Sequence, residues 1–409
     1  MDPSLIDAAA TANAPLIGAA PLMRSAFRHH DLRPVGELLL ARGQANPQDA
    51  NAWLDASFVL QLLGRRDDGL EVQRHALATA SVYTLPAPAQ TPTLKLLVLM
   101  GPGDFMANTP IEFLLESSDI AATVQYISPE LPLPEQVPDH DVLFVAIAQS
   151  DANVALLRDA VQMVQDWPRP VVNRPERIAH LSRDGAFAEL LDAPGTVMPQ
   201  TVRVARASAL ALAAGEVALA SLLPEAAFPL IVRPLDSHAG HDLQQVADAP
   251  ALAAYLAGQG AEEFYLAPFV DYSGPDGQFR KYRIVLVDGV AFICHLAISS
   301  HWMVHYLNAG MDDSAVKRAE EAQEMLDFDT GFAVRHAAAL ADIDQRIGMP
   351  YLGIDCAETR DGKLLIFEVD NAMVVHAMDD PVKYPYKRAA MDKVFDAFSA
   401  LLHRAARPG

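Results

Sequence analysis

Two kinds of hydrophobic pattern divide the chain. From Leu32 to Tyr83, apolar residues recur at the three-to-four-residue spacing that is typical of amphipathic helices. Beyond residue 93, short unbroken apolar runs predict buried strands, because a strand covered on both faces carries apolar side chains at successive positions. The clearest runs are 94–100, 228–232, 352–356 and 363–369. The pattern therefore predicts a helical N-terminal region followed by a mixed α and β body.

The helical region is similar to one tetratricopeptide unit. Trp53 and Phe58 lie on its first predicted helix, a turn follows at Gly64, and small residues mark the second helix. Residues 35–44 predict a partner helix. A single unit cannot bury its apolar face alone, so two interpretations stay open: a module that docks a peptide or protein, or a helical bundle used for packing or for a homodimer. Residues 1–30 are Ala-rich and predict a loose start.

A small α/β domain is predicted after a proline-rich linker at 85–92. Three strands alternate there with helices that begin near Thr109 and Asn153, in the order of βαβ units. The strands are predicted over 94–100, 124–127 and 142–148. Gly101-Pro102-Gly103 lacks the third glycine of a dinucleotide-binding loop, which argues against a Rossmann cofactor site. Asn108 and Thr109 at a helix N-terminus are explained equally by anion binding and by helix capping.

The most informative stretch is a predicted β-hairpin near the C-terminus. Its two strands flank a turn at Arg360-Asp361-Gly362. Asp355 interrupts the first apolar strand, while Glu368 and Asp370 alternate along the second and share a face. A carboxylate on a buried strand is costly unless it is paired or binds a cation, so the three acids predict a Mg²⁺ site with oxygen ligands. A solvent-facing hairpin with scattered acids is the alternative.

Composition limits the classes of function. The 409 residues carry a formal net charge of −21, which argues against nucleic acid as a partner. Cys294 and Cys356 lie in apolar runs and are expected to be reduced core thiols. The sequence shows neither a signal peptide nor an apolar stretch long enough to cross a bilayer. We therefore expect a cytoplasmic protein of two or three domains with no membrane partner.

The hairpin, together with residues 228–242 and 280–289, resembles in order and spacing the ATP-grasp ligases of the glutathione synthetase and ribosomal-modification branch. The resemblance runs from about Leu94 to the C-terminus. It implies an α+β ATP-grasp fold preceded by a small α/β domain and the N-terminal α-helical region. The implied domains are 1–90 (helices and linker), 91–172 (pre-grasp domain), 173–270 (N-terminal grasp subdomain) and 271–409 (C-terminal grasp subdomain with the metal site).

The resemblance also implies roles for individual residues, with ATP and Mg²⁺ (Mn²⁺ as a substitute) as cofactors. The metal ligands would be Asp355, Glu368 and Asp370. Nucleotide phosphates would contact Arg183, Arg233 and the loop residues Ser237, His238 and Gly240. Adenine would pair with the backbone of Pro268, Phe269 and Val270, and the ribose with Asp271 or Asp276. Arg283 would stabilise the transition state or, as the alternative, serve as a structural partner of the acids, with Arg280 and Lys281 as nearby alternatives to it.

Several positions depart from the family pattern. Gly185 stands where a phosphate-binding lysine is usual, and Arg183 is either its replacement or an ordinary helix charge. Arg233 replaces a second lysine, Ala267 an acidic or Gln residue, and Asp370 an Asn, with Asn371 as an alternative ligand. His301 and His305 would share a face if their segment were helical. They suggest a substrate pocket or core histidines rather than zinc, because a third ligand is not apparent.

The function implied is a carboxylate–amine ligase that activates a small acid, amino acid or peptide as an acyl phosphate and joins it to an amine. The alternatives are a degenerate relative that binds nucleotide or a protein without turnover, an interaction scaffold, and a kinase that stops at phosphate transfer. The sequence leaves open which acid and amine are used, whether the substrate is free or displayed on a peptide, and the oligomeric state.

Overall fold

The structure, a computed structural model, describes residues 2–87, 89–235, 237 and 240–407. Two compact units divide the chain. The first comprises residues 1–179, 349–351 and 370–409, and the second comprises 180–348 and 352–369. Each unit is assembled from separated stretches of sequence, and both combine helices with β-sheet.

The first unit begins with helices from its first residues. Asp2 caps the opening helix by accepting a hydrogen bond from the Ser4 amide at 3.1 Å, and Pro3 takes the first helical position. The bounds are α1 (Pro3–Ala10), α2 (Ala19–Phe27), α3 (Arg33–Ala45), α4 (Ala50–Leu62) and α5 (Arg66–Thr79). The helices predicted between 32 and 83 are therefore present. The loose start predicted for residues 1–30 is wrong.

Close helix packing in this region depends on small residues. On Gly36 an added Cβ would lie 2.9 Å from a methyl carbon of Val59, and on Gly43 one would lie 2.6 Å from the Trp53 ring. Glycine at both positions lets α3 approach α4 more closely than any larger side chain would permit. Arg42, 7% exposed, pairs with Asp49 at 3.0 Å and so fixes the turn between the two helices.

The central sheet of the first unit is mostly parallel. Its strands are β1 (Val82–Thr84), β2 (Leu94–Met100), β3 (Ile120–Tyr126), β4 (Val142–Val145) and β5 (Val171–Val172), and its helices are α6 (Ile111–Leu114), α7 (Val154–Val164) and α8 (Pro175–Ile178). The strand order is β1-β3-β2-β4-β5, with parallel pairing throughout except between β1 and β3. Burial on both faces explains the unbroken apolar runs of the sequence.

The second unit contains two sheets. Its first elements along the chain are α9 (Arg183–Glu189), β6 (Thr196–Val197), β7 (Val202–Ala205), α10 (Arg206–Ala213), β8 (Leu230–Pro234), β9 (Gln244–Val246), α11 (Ala249–Ala257) and β10 (Glu263–Pro268). Strands β7 to β10 form the first sheet, and β6 joins the second. Antiparallel pairing gives the order β7-β10-β8-β9. A proline within an apolar run predicts an edge strand or a bulge, but β10 is an interior strand. Pro268 is tolerated there because it is the last residue of that strand.

The second sheet of this unit carries the predicted hairpin. Its elements are β11 (Phe279–Val287), β12 (Val290–Ser299), α12 (Ala315–Asp327), α13 (Phe332–Arg335), α14 (Ala337–Ile347), β13 (Tyr351–Glu358) and β14 (Leu364–Asp370). The strand order is β12-β11-β13-β14-β6. The turn between β11 and β12 uses positive φ at Asp288 (51°) and Gly289 (74°), the geometry that two-residue hairpins favour. Gly362 (φ 79°) similarly lies in the turn from β13 to β14.

The C-terminal helix α15 (Lys387–Ala405) belongs to the first unit. Its Phe398 is fully buried, with its ring 5.5 Å from that of Phe144 in β4. Met378, just before this helix, packs with Ala20 of α2 and Phe113 of α6. The N-terminal helices therefore bury apolar surface inside the first unit. Over the part of the chain that the structure describes, the search for a membrane-spanning helix found none of sufficient length and apolarity.

Candidate functional site

The buried end of the hairpin carries a carboxylate held by two cations. Asp355 of β13 is 2% exposed. Arg283 Nε donates to its Oδ1 at 2.8 Å and Arg283 Nη2 to its Oδ2 at 3.0 Å, while Lys281 Nζ lies 2.7 Å from Oδ2. Lys281 and Arg283 alternate on the neighbouring strand β11, so both point to the same face. Burial opposes ionisation of Asp355, but the two cations outweigh it and hold its pKa well below the usual range.

The second hairpin strand carries a carboxylate paired with the start of α9. Arg183 Nη2 donates to Glu368 Oε1 at 2.8 Å, and Arg183 Nη1 donates to the Phe367 carbonyl at 3.2 Å. Ser182 caps α9 by accepting from the Gly185 amide and so fixes the position of Arg183. Burial raises the pKa of Glu368, but attraction from Arg183 and Arg233 exceeds that effect and lowers it overall. Arg183 is therefore part of a charge cluster and not a solvated helix charge.

A fourth cation, Arg233 of β8, is almost fully enclosed. Its residue exposure is 7%, and its Nε donates to Ser237 Oγ at 2.9 Å. Among the described residues its buried Nη2 has no hydrogen-bond partner. Burial first, and repulsion from Arg183 second, lower the pKa of Arg233 to about 9. A buried guanidinium with an unused donor beside another cation is costly by itself, so this position favours an anionic ligand.

We define the charge cluster by six residues of the second unit. They are Arg183, Arg233, Lys281, Arg283, Asp355 and Glu368. Each of the other five residues interacts electrostatically with Glu368, and Arg283 and Asp355 also form an ion pair with each other. Four cations against two carboxylates leave the cluster positive in a chain whose formal net charge is −21. The neighbouring Asp184–Arg203 pair, at 3.3 Å, is neutral overall.

The loop after β8 is described in part. Ser237 Oγ bridges Arg233 and the Pro234 carbonyl, to which it donates at 2.9 Å. Gly240 has φ 75°, and an added Cβ would lie 2.9 Å from Met303 Sδ, so this position favours glycine. His238, the third predicted phosphate-binding residue here, lies outside the described residues. The described part of the loop thus contributes one hydroxyl, that of Ser237, beside Arg233.

The predicted adenine segment has fewer available donors than expected. Pro268 has no N–H, and the Phe269 amide donates to the Pro229 carbonyl at 3.0 Å. Of the three predicted positions, Val270 is therefore the candidate for backbone recognition. Asp271 accepts from the Ser273 amide at 2.9 Å and pairs with Arg360 at 3.1 Å. Both residues of that pair are largely exposed, so a ribose hydroxyl could compete for the Asp271 carboxylate.

The two remaining candidate metal ligands, Asp370 and Asn371, have different surroundings. Asp370 ends β14 and accepts from the Ala372 amide at 2.9 Å. Asn371, considered as an alternative metal ligand, is fully buried, and its Nδ2 donates to the Ile147 carbonyl at 3.0 Å. Its carbonyl accepts from Thr109 Oγ1 at 2.8 Å, so Asn371 ties the segment after β14 to the core of the first unit. Among the described residues its side-chain oxygen Oδ1 has no hydrogen-bond partner, so Asn371 stays a predicted alternative ligand.

The packing around Gly185 explains why this position carries no side chain. A Cβ at this position would lie 2.7 Å from the His180 carbonyl oxygen and 2.8 Å from Ser182 Oγ. Because the nearer atom belongs to the backbone, no side chain fits without moving the start of α9. The cation near Glu368 is Arg183, two residues earlier in the same helical turn.

Sequence reasoning ranked one residue of the cluster too low. Lys281 was considered only as a nearby alternative, yet it binds Asp355 directly. Arg280, the other alternative, pairs instead with Asp276 at 2.8 Å, on the opposite face of β11. The two-residue alternation of Lys281 and Arg283 along a strand was the signal that separates them. The helix considered around His301 and His305 is not formed, since only 306–308 form a short 3₁₀ turn.

The donor set can be compared with what ATP and Mg²⁺ require. Arg233 Nη2, which has no hydrogen-bond partner in the described part of the chain, suits a phosphate oxygen. Carboxylate oxygens such as those of Asp355 and Glu368 are the ligand type that Mg²⁺ prefers. Both carboxylates, however, are already ion-paired. Within the described ranges no group of three or more His, Cys, Asp or Glu side chains is gathered closely enough to hold a metal ion. The site fits a polyphosphate as it stands, and fits a metal once the ion pairs rearrange.

Comparison with known proteins adds the following. No protein-family model matches the chain, and no curated protein matches it. Among solved structures it is similar to a RimK-domain ATP-grasp protein from Sphaerobacter thermophilus, with 16% identity and a TM-score of 0.42 over 76% of this chain and 99% of the other. The VanG D-Ala:D-Ser ligase from Enterococcus faecalis has 13% identity and a TM-score of 0.47 over 76% of this chain and 100% of the other. The D-alanine-D-alanine ligase from Coxiella burnetii has 11% identity and a TM-score of 0.47 over 76% of this chain and 96% of the other.

Proposed function

We propose that this protein is an ATP- and Mg²⁺-dependent ligase that joins a carboxylate to an amine through an acyl phosphate. The observation that carries the proposal is Arg233, a nearly enclosed guanidinium whose Nη2 has no partner among the described residues and which lies beside Arg183. Such a group is stabilised by an anion with several oxygens, and nucleotide phosphate meets that need. The order of motifs along the sequence supports the same reaction class.

In the proposed reaction, a carboxylate oxygen of the acid attacks the γ-phosphorus, the bond to the bridging oxygen breaks, and ADP leaves with the electron pair. The amine nitrogen then attacks the acyl carbon, the carbon–oxygen bond to phosphate breaks, phosphate leaves, and the nitrogen loses a proton. Both steps need positioning and charge stabilisation more than a protein nucleophile. This agrees with a cluster made of cations and carboxylates.

Each member of the cluster has a proposed role. Arg233 and Arg183 bind phosphate oxygens, with Ser237 orienting Arg233. Arg283, oriented by the two hydrogen bonds that it donates to Asp355, stabilises negative charge that develops on the transferred group. Asp355 and Glu368 would hold Mg²⁺, which when bound offsets the charge of the phosphates. Asp370 is kept as a third candidate ligand from the sequence.

The test measures ADP release from ATP with a panel of amino acids and short peptides, and adds hydroxylamine to capture an acyl phosphate as hydroxamate. We expect substrate-dependent ADP release and hydroxamate from the wild type, and neither from Glu368→Ala. The matched control is Glu358→Ala on β13, since Glu358 pairs with Arg335 at 3.1 Å outside the cluster. ADP without hydroxamate would indicate a kinase, and ATP binding without turnover a nucleotide-binding protein; either result overturns the ligase proposal.

A further inference from the structure

Both candidate metal-binding carboxylates already have protein cations as partners. Glu368 is paired with Arg183 at 2.8 Å, and Asp355 with Arg283 and Lys281 at 2.8 and 2.7 Å. A divalent cation that arrives alone must therefore compete with a charged side chain at each carboxylate. It must also enter a cluster in which cations outnumber carboxylates, and like charges at this range repel.

The ion pair of Glu368 is the more easily exchanged of the two. The Glu368 side chain is 32% exposed and Arg183 is 20% exposed, whereas Asp355 is 3% exposed and held by three contacts. Arg183 would gain another partner when a polyphosphate binds, because the neighbouring Arg233 has a buried donor that no described residue uses and that suits a phosphate oxygen. A polyphosphate bound there would attract Arg183 and reverse the sign of the local charge.

We infer that Arg183 acts as an internal counter-cation for Glu368, so that divalent metal binds this site only together with a polyphosphate. The inference rests on the proposed function, since it assigns regulation to the same nucleotide site. Without nucleotide, Arg183 neutralises Glu368 and the site excludes metal. With nucleotide, Arg183 turns to the phosphates, and Glu368 becomes available to a metal that the phosphates also attract.

Equilibrium dialysis of the full chain against Mn²⁺, with and without ADP, tests this inference when metal and nucleotide on the protein are both quantified. We expect the wild type to retain Mn²⁺ with ADP and to bind Mn²⁺ alone at least about tenfold more weakly, which corresponds to roughly 1.4 kcal/mol. Arg183→Met should bind Mn²⁺ alone about tenfold more tightly than the wild type, and bind ADP more weakly. These opposite directions distinguish loss of the counter-cation from general damage, which would weaken both.

Two further variants complete the design. Arg183→Lys keeps the charge and should exclude Mn²⁺ as the wild type does. Arg335→Met removes an Arg–Glu pair of similar length elsewhere on the same unit and should leave both affinities unchanged. Equal affinity of the wild type for Mn²⁺ with and without ADP, or an Arg183→Met protein that binds Mn²⁺ no better than the wild type, would overturn the inference while the nucleotide site stands. A wild type that retains no ADP would overturn the proposed function as well.

Discussion

At the scale of single residues, the members of the charge cluster differ in how fully their polar atoms are paired. Asp355 is stabilised by two cations, and Glu368 by one. Arg233 is different, because its burial removes water from a donor that no described protein atom replaces. Such a group is tolerated when a ligand supplies the missing hydrogen bond. We therefore expect Arg233 to lower the stability of the ligand-free protein and to raise its affinity for the ligand.

Replacing Arg233 with Met tests both effects, on stability and on ligand affinity. Without ligand, we expect the free energy of unfolding of Arg233→Met to be unchanged or up to about 2 kcal/mol higher, because a desolvated and partly unpaired charge is replaced by an apolar side chain. ADP affinity should fall by at least about tenfold, since a charged hydrogen bond contributes roughly 1.5–3 kcal/mol. Urea unfolding and ADP titration measure the two quantities. A variant that is much less stable than the wild type, or that binds ADP normally, would show that Arg233 is a structural residue.

The site residues also show how far sequence reasoning reaches. Asp355, Glu368 and Arg283 could be predicted because charges inside apolar strands are conspicuous. The importance of Lys281 follows from alternation along β11, but its contact with Asp355 depends on which strand lies alongside, and this is a non-local property. The clash that keeps Gly185 free of a side chain involves a backbone carbonyl five residues earlier, and no propensity rule encodes it.

At the scale of elements, strands were easier to predict than the N-terminal helices. The hairpin and the β11–β12 turn have strong local signals, namely apolar runs and Asp-Gly or Gly turns with positive φ. Helices α1 and α2 are short and Ala-rich, with little periodicity. Tertiary contacts fix the start of α2, because Asp55 of α4 accepts hydrogen bonds from the Ile17 and Gly18 amides, and Glu112 of α6 accepts from the Ala19 and Ala20 amides. We call these four hydrogen bonds the latch.

This latch predicts a pH effect on stability. Asp55 is fully buried, and burial raises its pKa to about 7 despite its two amide donors; Glu112 adds to the shift and Arg42 opposes it, with Tyr83 close by. Because the folded pKa lies above the unfolded value, the stabilising contribution is complete below about pH 4 and is lost as pH rises through 7. Asn resembles the protonated acid and does not titrate. The stability of Asp55→Asn relative to the wild type should therefore increase between pH 4 and 7.

Urea unfolding at a series of pH values measures that difference, and Asp7→Asn on the exposed surface of α1 is the matched control. The Asp7→Asn protein should show the same pH profile as the wild type. Parallel profiles for Asp55→Asn and the wild type would mean that Asp55 keeps its ordinary pKa, and that the latch is simply a set of ordinary hydrogen bonds.

At the scale of the whole molecule, the two cysteines report on the folded state. Cys294 and Cys356 are 6% and 0% exposed, and both lie in the second unit. Burial raises the pKa of the Cys356 thiol well above its usual value, which further slows its reaction as a thiolate. We expect Ellman's reagent to modify neither thiol at an appreciable rate in the native protein, and both in denaturant. Rapid reaction of either thiol in the native chain would show that the second sheet opens readily.

The composition of the first unit from separated stretches affects how the protein can be made. Phe398 of α15 fills the core against Phe144, yet a ribosome releases β4 long before it releases α15. During synthesis the apolar face of the central sheet that α15 covers stays exposed until α15 has been made, and exposed apolar surface of this kind is what chaperones bind. Removing the last helix should therefore reduce the soluble yield of the protein more than it perturbs the charge cluster itself.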